Sequence, residues 1–276
     1  MYVTVRRWTV RAGLAIAVAM ALLSITAGPA KRRMALSALV LLVIPAGLTG
    51  AALWRSGVQA SVLRADPEAI LSDPALRSVA LTNGEHVFAQ HCASCHGATG
   101  KGDRTLGASD LTDGETLYGI GSVAQIEDIA RYGIRAGNKH GWNLAVMPAY
   151  ARKVPDAAEA LPPQSPAQIE DLTQYILAFT NRATDAAAVR RGLAAYTKAG
   201  CWDCHGRDLG GDPAIGAPNL TDSVWLYGGR PEDIRRTLER GRAGTSPAFA
   251  RVLTAAELRN VAVYTASLAH RRQDRT

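Results

Sequence analysis

The pentapeptide Cys-x-x-Cys-His occurs twice, as Cys92-Ala93-Ser94-Cys95-His96 and as Cys201-Trp202-Asp203-Cys204-His205. Together the copies use all four cysteines of the chain. This spacing is the attachment signature of c-type haem: two sulfurs form thioethers on one porphyrin edge, and the histidine folds under the ring to the iron. Five consecutive positions supply all three contacts. A redox dithiol needs no histidine at the fifth position. A shared zinc site would have to join halves 109 residues apart, each followed by glycine. A disulfide framework is an uncommon use of cysteine in a chain of 276 residues. Two covalently bound haem c groups, and hence one-electron transfer, are the reading the motifs support.

The segments around the motifs repeat. The offset of 109 that separates Cys92 from Cys201 also relates His96 to His205, Gly107 to Gly216, Leu111 to Leu220 and Tyr118 to Tyr227. It shrinks to 108 at Gly133 and Gly241, and to 99 where Met147-Pro148-Ala149-Tyr150 meets Ser246-Pro247-Ala248-Phe249. Each copy shows a helical run into its motif (84–92 and 188–200), a middle helix (124–135 and 231–240) and a closing helix (168–180 and 255–269). Pro231 suits a first helical turn. Gly-rich loops lie between motif and middle helix, and the Pro-rich stretch 155–166 reads as a long loop in the first copy. The expected fold is all-α, a membrane-anchored tandem of two small cytochrome c domains. The first would occupy 82–183 and the second 184–276, with a tether over 66–81.

Residues 1–65 form the anchor. Two uncharged apolar stretches, 12–30 and 34–54, have the length of spanning helices. Arg6, Arg7 and Arg11 precede the first, and Lys31, Arg32 and Arg33 separate the two. Haem attachment to this motif takes place outside the bacterial cytoplasm, so the domains should be periplasmic and the Lys31–Arg33 loop cytoplasmic. A two-helix hairpin in the inner membrane follows. The alternative is a single anchor, with the first stretch removed as a signal peptide or not spanning. The formal charge of +7 comes mostly from the membrane flanks: residues 1–65 carry eight basic groups and no acidic ones. The two haem segments are net −5 (66–184) and +4 (185–276). Nucleic-acid binding gains no support from this pattern.

The second axial positions differ between the copies. Met147, 51 residues after His96 and followed by Pro148, is placed to ligate the first iron opposite His96. The second copy has Ser246 at the matching position, and no methionine follows Met147. The haem on His205 is therefore expected to be five-coordinate, or to take His86, His91, His140 or His270, or to borrow a ligand from a partner chain. Its potential should then be lower, or it should bind small ligands such as CO.

The run Ala217-Pro218-Asn219-Leu220-Thr221-Asp222, then Trp225-Leu226-Tyr227-Gly228 and Gly241-Arg242-x-Gly244, resembles the dihaem subunit III (CcoP/FixP) of cbb3-type haem–copper oxidases. Asp73-Pro74-Ala75-Leu76, Tyr132-Gly133-Ile134-Arg135 and Met147-Pro148-Ala149 are similar to the same family, and the likeness covers about residues 66–268. Ser246 departs from the family's methionine. The resemblance implies a periplasmic relay with no bond chemistry and no catalytic residue of its own. Electrons would arrive from a donor cytochrome c or quinol oxidoreductase and leave toward a monohaem cytochrome c subunit and the haem–copper catalytic subunit. Leu111, Tyr118, Asn219, Trp225, Tyr227 and Ser246 are the expected haem-pocket residues. A stand-alone anchored cytochrome, an electron-acceptor subunit of a periplasmic dehydrogenase and a haem-based ligand sensor are the competing readings.

Overall fold

The computed structural model describes residues 29–143, 145–153 and 163–273. Among them the chain is helical, with isolated β-bridges and no strand. The described residues divide into two compact units, one up to residue 58 and one from residue 59 on.

Helix α1 (Pro29–Arg64) carries the second apolar stretch in the first unit. Val40, Leu41, Val43, Ile44, Leu48, Leu53 and Trp54 on it are exposed. Among the described residues no helix is long and apolar enough to cross a membrane. Of the expected first span, residues 12–28 lie outside the described residues.

In the second unit the end of α1 leads into a 3-10 turn (Pro67–Ser72) and α2 (Pro74–His91). The stretch expected as a tether is therefore part of the packed body. Val62, Ile70 and Ala80 are fully buried in one cluster with Val123 and Val263. Asp73 caps α2, accepting from the Ala75 and Leu76 amides at 2.8 and 3.0 Å, with Pro74 at the first helical position. Glu68 accepts from the Val123 and Ala124 amides, at 3.0 and 2.9 Å, which open α4 (Val123–Tyr132). A single turn, α3 (Ala93–His96), holds the first motif. The series continues with α5 (Pro166–Ala178), α6 (Ala186–Lys198), the second motif turn α7 (Trp202–His205), α8 (Pro231–Arg240) and α9 (Ala255–Gln273). Ser165 and Gln168 form a capping box on α5, and Asp185 caps α6.

The closing helices are exchanged between the copies. α2 and α4, from the first copy, pack on α9 at the end of the second; α6 and α8, from the second, pack on α5 from the first. The two crossings match residue for residue. Gly84 of α2 lies so close to α9 that a Cβ would strike Asn260 O and Tyr264; Gly192 of α6 meets Asp171 O and Tyr175 of α5 in the same way. Phe88 and Tyr264 stack with centroids 5.3 Å apart, as do Tyr196 and Tyr175. The cause lies after the middle helices, where the two copies pair with each other. Ile134 and Ser246 exchange backbone bonds of 2.9 and 3.0 Å, and Met147 and Arg242 exchange two of 3.0 Å. Each chain segment is carried across this junction to the other lobe. The sequence copies 82–183 and 184–276 thus do not coincide with the packed lobes.

Candidate haem sites

The two motif turns are built alike. Gly97 and Gly206 end them with φ of 72° and 74°, a backbone region that favours glycine. His96 Nδ1 lies 3.0 Å from Ser109 O, and His205 Nδ1 lies 3.0 Å from Pro218 O. A carbonyl partner fixes Nδ1 as the protonated nitrogen and leaves the Nε2 lone pair for a metal. Burial lowers the pKa of His205, with the Pro218 carbonyl opposing, so burial favours the neutral form that a metal needs.

No two of the four cysteines are joined in a disulfide. Burial pushes Cys92 up to about 11, with Cys95 adding to it, and Cys201 likewise to about 11 despite a hydrogen bond with Tyr150. A redox dithiol needs a depressed thiol pKa, so these environments argue against that chemistry. Among the described residues no group of three or more His, Cys, Asp or Glu side chains converges as a metal cage.

One cavity of about 610 Å³ runs from Cys92, Cys95 and His96 to Cys201, Cys204 and His205. Leu111, Tyr118, Asn219, Trp225, Tyr227 and Ser246 all line it. Leu111 packs against the buried cluster of Phe88, as Cys92 does; Trp225 packs against the cluster that contains Cys201 and Tyr196. Asn219 forms a local turn, accepting from the Thr221 amide and hydroxyl at 2.9 and 2.8 Å, as Asp110 does for Thr112. The tyrosines reach across the repeat: Tyr118 covers Gly216, and Tyr227 covers Gly107. The donor set fits haem c. Trp225 Nε1 is buried with no acceptor among the described residues, the state of a donor that awaits a carboxylate such as a propionate. Arg135 donates to Gly244 O, Ala145 O and Tyr118 Oη, while Arg242 lies 3.9 Å over the Tyr227 ring. Both guanidiniums line the cavity. The sequence reading gave neither arginine a role, although each sits in a quoted Gly-containing motif.

Met147 departs from the expectation drawn from chain order. It packs against the cluster that contains Cys201, Tyr196 and Leu238, not the one around Cys92. Tyr150, three residues on, donates its amide to Leu238 O at 2.9 Å and is buried in the same cluster as Cys201. Ser246 occupies the matching position by the first motif: Phe249 donates its amide to Ala130 O at 2.9 Å and packs against the same buried cluster as Cys92. The exchange of closing segments carries Met147 to the second motif and Ser246 to the first. Of the other histidines, His86 is exposed and His140 stacks on Tyr132 at 5.4 Å; neither lines the cavity. His91 lines it, edge-on to Phe249 at 5.9 Å. The side chain of His270 lies outside the described residues.

Two such turns, each with paired cysteines and an anchored imidazole on an apolar cavity in an all-α body, define a c-type cytochrome. Comparison with known proteins narrows this. Residues 81–180 match the family described as Cytochrome c, and residues 187–264 match Cytochrome C oxidase, cbb3-type, subunit III. The chain is 36% identical over 219 residues to the cbb3-type cytochrome c oxidase subunit CcoP of Rhodobacter capsulatus, covering 76% of this chain and 70% of that protein. It is 33% identical over 215 residues to subunit FixP of Azorhizobium caulinodans, covering 78% and 68%. The chain belongs to the CcoP/FixP family of cbb3-type cytochrome c oxidase subunits.

Proposed function

We propose that this chain is the membrane-anchored dihaem subunit that relays electrons to the catalytic part of a cbb3-type oxidase from the periplasmic side of the bacterial inner membrane. The carrying observation is the duplicated site. Two histidines with Nδ1 tied to a carbonyl open, beside their cysteine pairs, onto one shared cavity. Haem c supplies a one-electron iron centre when bound. The chain's own residues attach, orient and shield it. Cys92 and Cys95, and Cys201 and Cys204, would hold the groups covalently through their sulfurs; His96, His205 and Met147 would bind iron. The buried rings and aliphatic side chains exclude water, and Trp225, Arg135 and Arg242 receive the propionates. No residue of the chain is assigned a bond-making role.

The anchor is α1, on which Val40, Leu41, Val43, Ile44, Leu48, Leu53 and Trp54 are exposed, an apolar surface that suits lipid. The cluster Lys31–Arg33 at its start sets the cytoplasmic end. The partners are the haem–copper catalytic subunit, a monohaem cytochrome c subunit, a donor cytochrome c or quinol oxidoreductase, and the bilayer. The test is purification of the tagged chain from its native membrane in mild detergent, with oxygen uptake assayed on reduced cytochrome c. Recovery with a multi-helix haem–copper subunit and active oxygen uptake supports the reading. Recovery alone, or with a soluble dehydrogenase, overturns it.

A further inference from the structure

We propose that the iron held by the first motif, not the second, is the open one, and that it takes a small diatomic π-acceptor such as CO or NO on the face opposite His96. Met147 closes the second site. The proposal rests on the two-haem reading above and assigns its ligands.

The register of the two crossing segments assigns the ligands. In the second lobe, the segment bearing Met147 is pinned by paired backbone bonds to Arg242 and by Tyr150 N to Leu238 O at the end of α8. In the first, the segment bearing Ser246 is pinned by paired bonds to Ile134 and by Phe249 N to Ala130 O at the end of α4. The two segments make the same bonds to equivalent helix ends, so Ser246 stands in the first lobe where Met147 stands in the second. A thioether is a soft ligand suited to a low-spin haem iron; a neutral serine hydroxyl is hard and binds ferrous iron poorly. Neither Thr245 nor Pro247 beside it offers sulfur or imidazole. The cavity wall there includes Leu111, Ile129, Ala130, Ile134 and Phe249. That apolar lining favours a neutral diatomic over a charged ligand. Outside the two motifs, His91 is the described histidine that reaches the cavity, and the test separates it.

The full chain carrying both haems is purified in detergent, reduced with dithionite and titrated with CO, with haem content measured as the pyridine haemochrome. The ferric protein is examined for the far-red charge-transfer band of methionine on iron. The proposal expects CO uptake by half of the haem, and a methionine band of single intensity. Met147→Leu abolishes the band and doubles CO uptake. Ser246→Met weakens CO uptake more than tenfold and doubles the band. Should Ser246→Met fail to fold, the single-site chains decide. Cys201→Ala with Cys204→Ala keeps CO uptake and has no methionine band, and Cys92→Ala with Cys95→Ala does the reverse. No CO uptake by the wild type, the signature of His91 or another ligand on the first iron, overturns the proposal. So does a methionine band that stays with the first motif alone. A chain that takes up no covalent haem overturns the reading beneath it.

Discussion

Leu258→Ala separates the exchanged arrangement from one in which each copy closes on itself. Leu258 belongs to the second copy by sequence, yet it is 1% exposed and packs with Val87, Phe88, Val261 and Tyr264, in the cluster that Cys92 joins. Truncating such a leucine costs about 2–5 kcal/mol, the spread reflecting how far the cavity collapses. With every 1.4 kcal/mol worth a factor of ten, amides that exchange through opening of this lobe should lose about 30-fold to about 4,000-fold in protection. Hydrogen exchange read by mass spectrometry on the haem-loaded chain should show that loss in α2, around Val87 and Phe88. Peptides of α6 around Ala195 and Tyr196 should change far less, since they pack on α5. Leu172→Ala is the mirror control: Leu172 is fully buried with Tyr196 and Cys201, so its loss falls on α6 and spares α2. Loss of protection in α6 rather than α2 on Leu258→Ala refutes the exchange.

Arg259→Ala removes a cation from the buried Glu127 carboxylate that also pairs with Arg131 at 2.5 Å, and from Val62 O and Ala65 O. Leaving a buried group short of partners costs about 1–3 kcal/mol, to be read as a lower urea midpoint with unchanged slope. Gly216→Ala forces an L side chain to φ of 77° against the Tyr118 ring; the backbone alone costs about 1–2 kcal/mol, and thermal unfolding should report at least that. The Ala188 and Ala187 amides hold the Asp185 carboxyl below the usual carboxylate range, and the Arg230 guanidinium holds Asp233 below it. Their folded-state values are depressed, so their stabilisation is full above the ordinary carboxylate pKa of about 4 and is lost as the pH falls through the lowered values. Asp185→Asn should flatten the acid limb of a stability-versus-pH curve and leave the neutral plateau's shape unchanged.

The attachment signature is local, since five consecutive residues carry it, and the structure places each motif in a single turn with the histidine Nδ1 beside a carbonyl. Helices with strong termini were legible too. Pro231 opens α8 where the sequence expects it, and α9 starts at Ala255. The partnering of helices was not. The apolar periodicity of 168–180 and 255–269 shows that each must bury a face, but either face fits either lobe, since Gly84 and Gly192 make equivalent crossings. What decides between them is the pairing of Ile134 with Ser246 and of Met147 with Arg242, contacts about a hundred residues apart in sequence. Chain order alone therefore pairs Met147 with the nearer histidine, His96. The start of α2 has a local signal that a tether over 66–81 overlooks: Asp73 followed by Pro74 is a helix-start pair.

The central claim is that electrons reach the oxidase through this subunit's two sites. It is tested most directly by oxygen uptake of the purified complex in which Cys92, Cys95, Cys201 and Cys204 are all changed to Ala, beside the wild-type complex. The account predicts that uptake with reduced cytochrome c collapses, while a small artificial reductant that enters at the catalytic subunit still supports it. Undiminished uptake with cytochrome c, in a complex shown to retain the altered chain, contradicts the account.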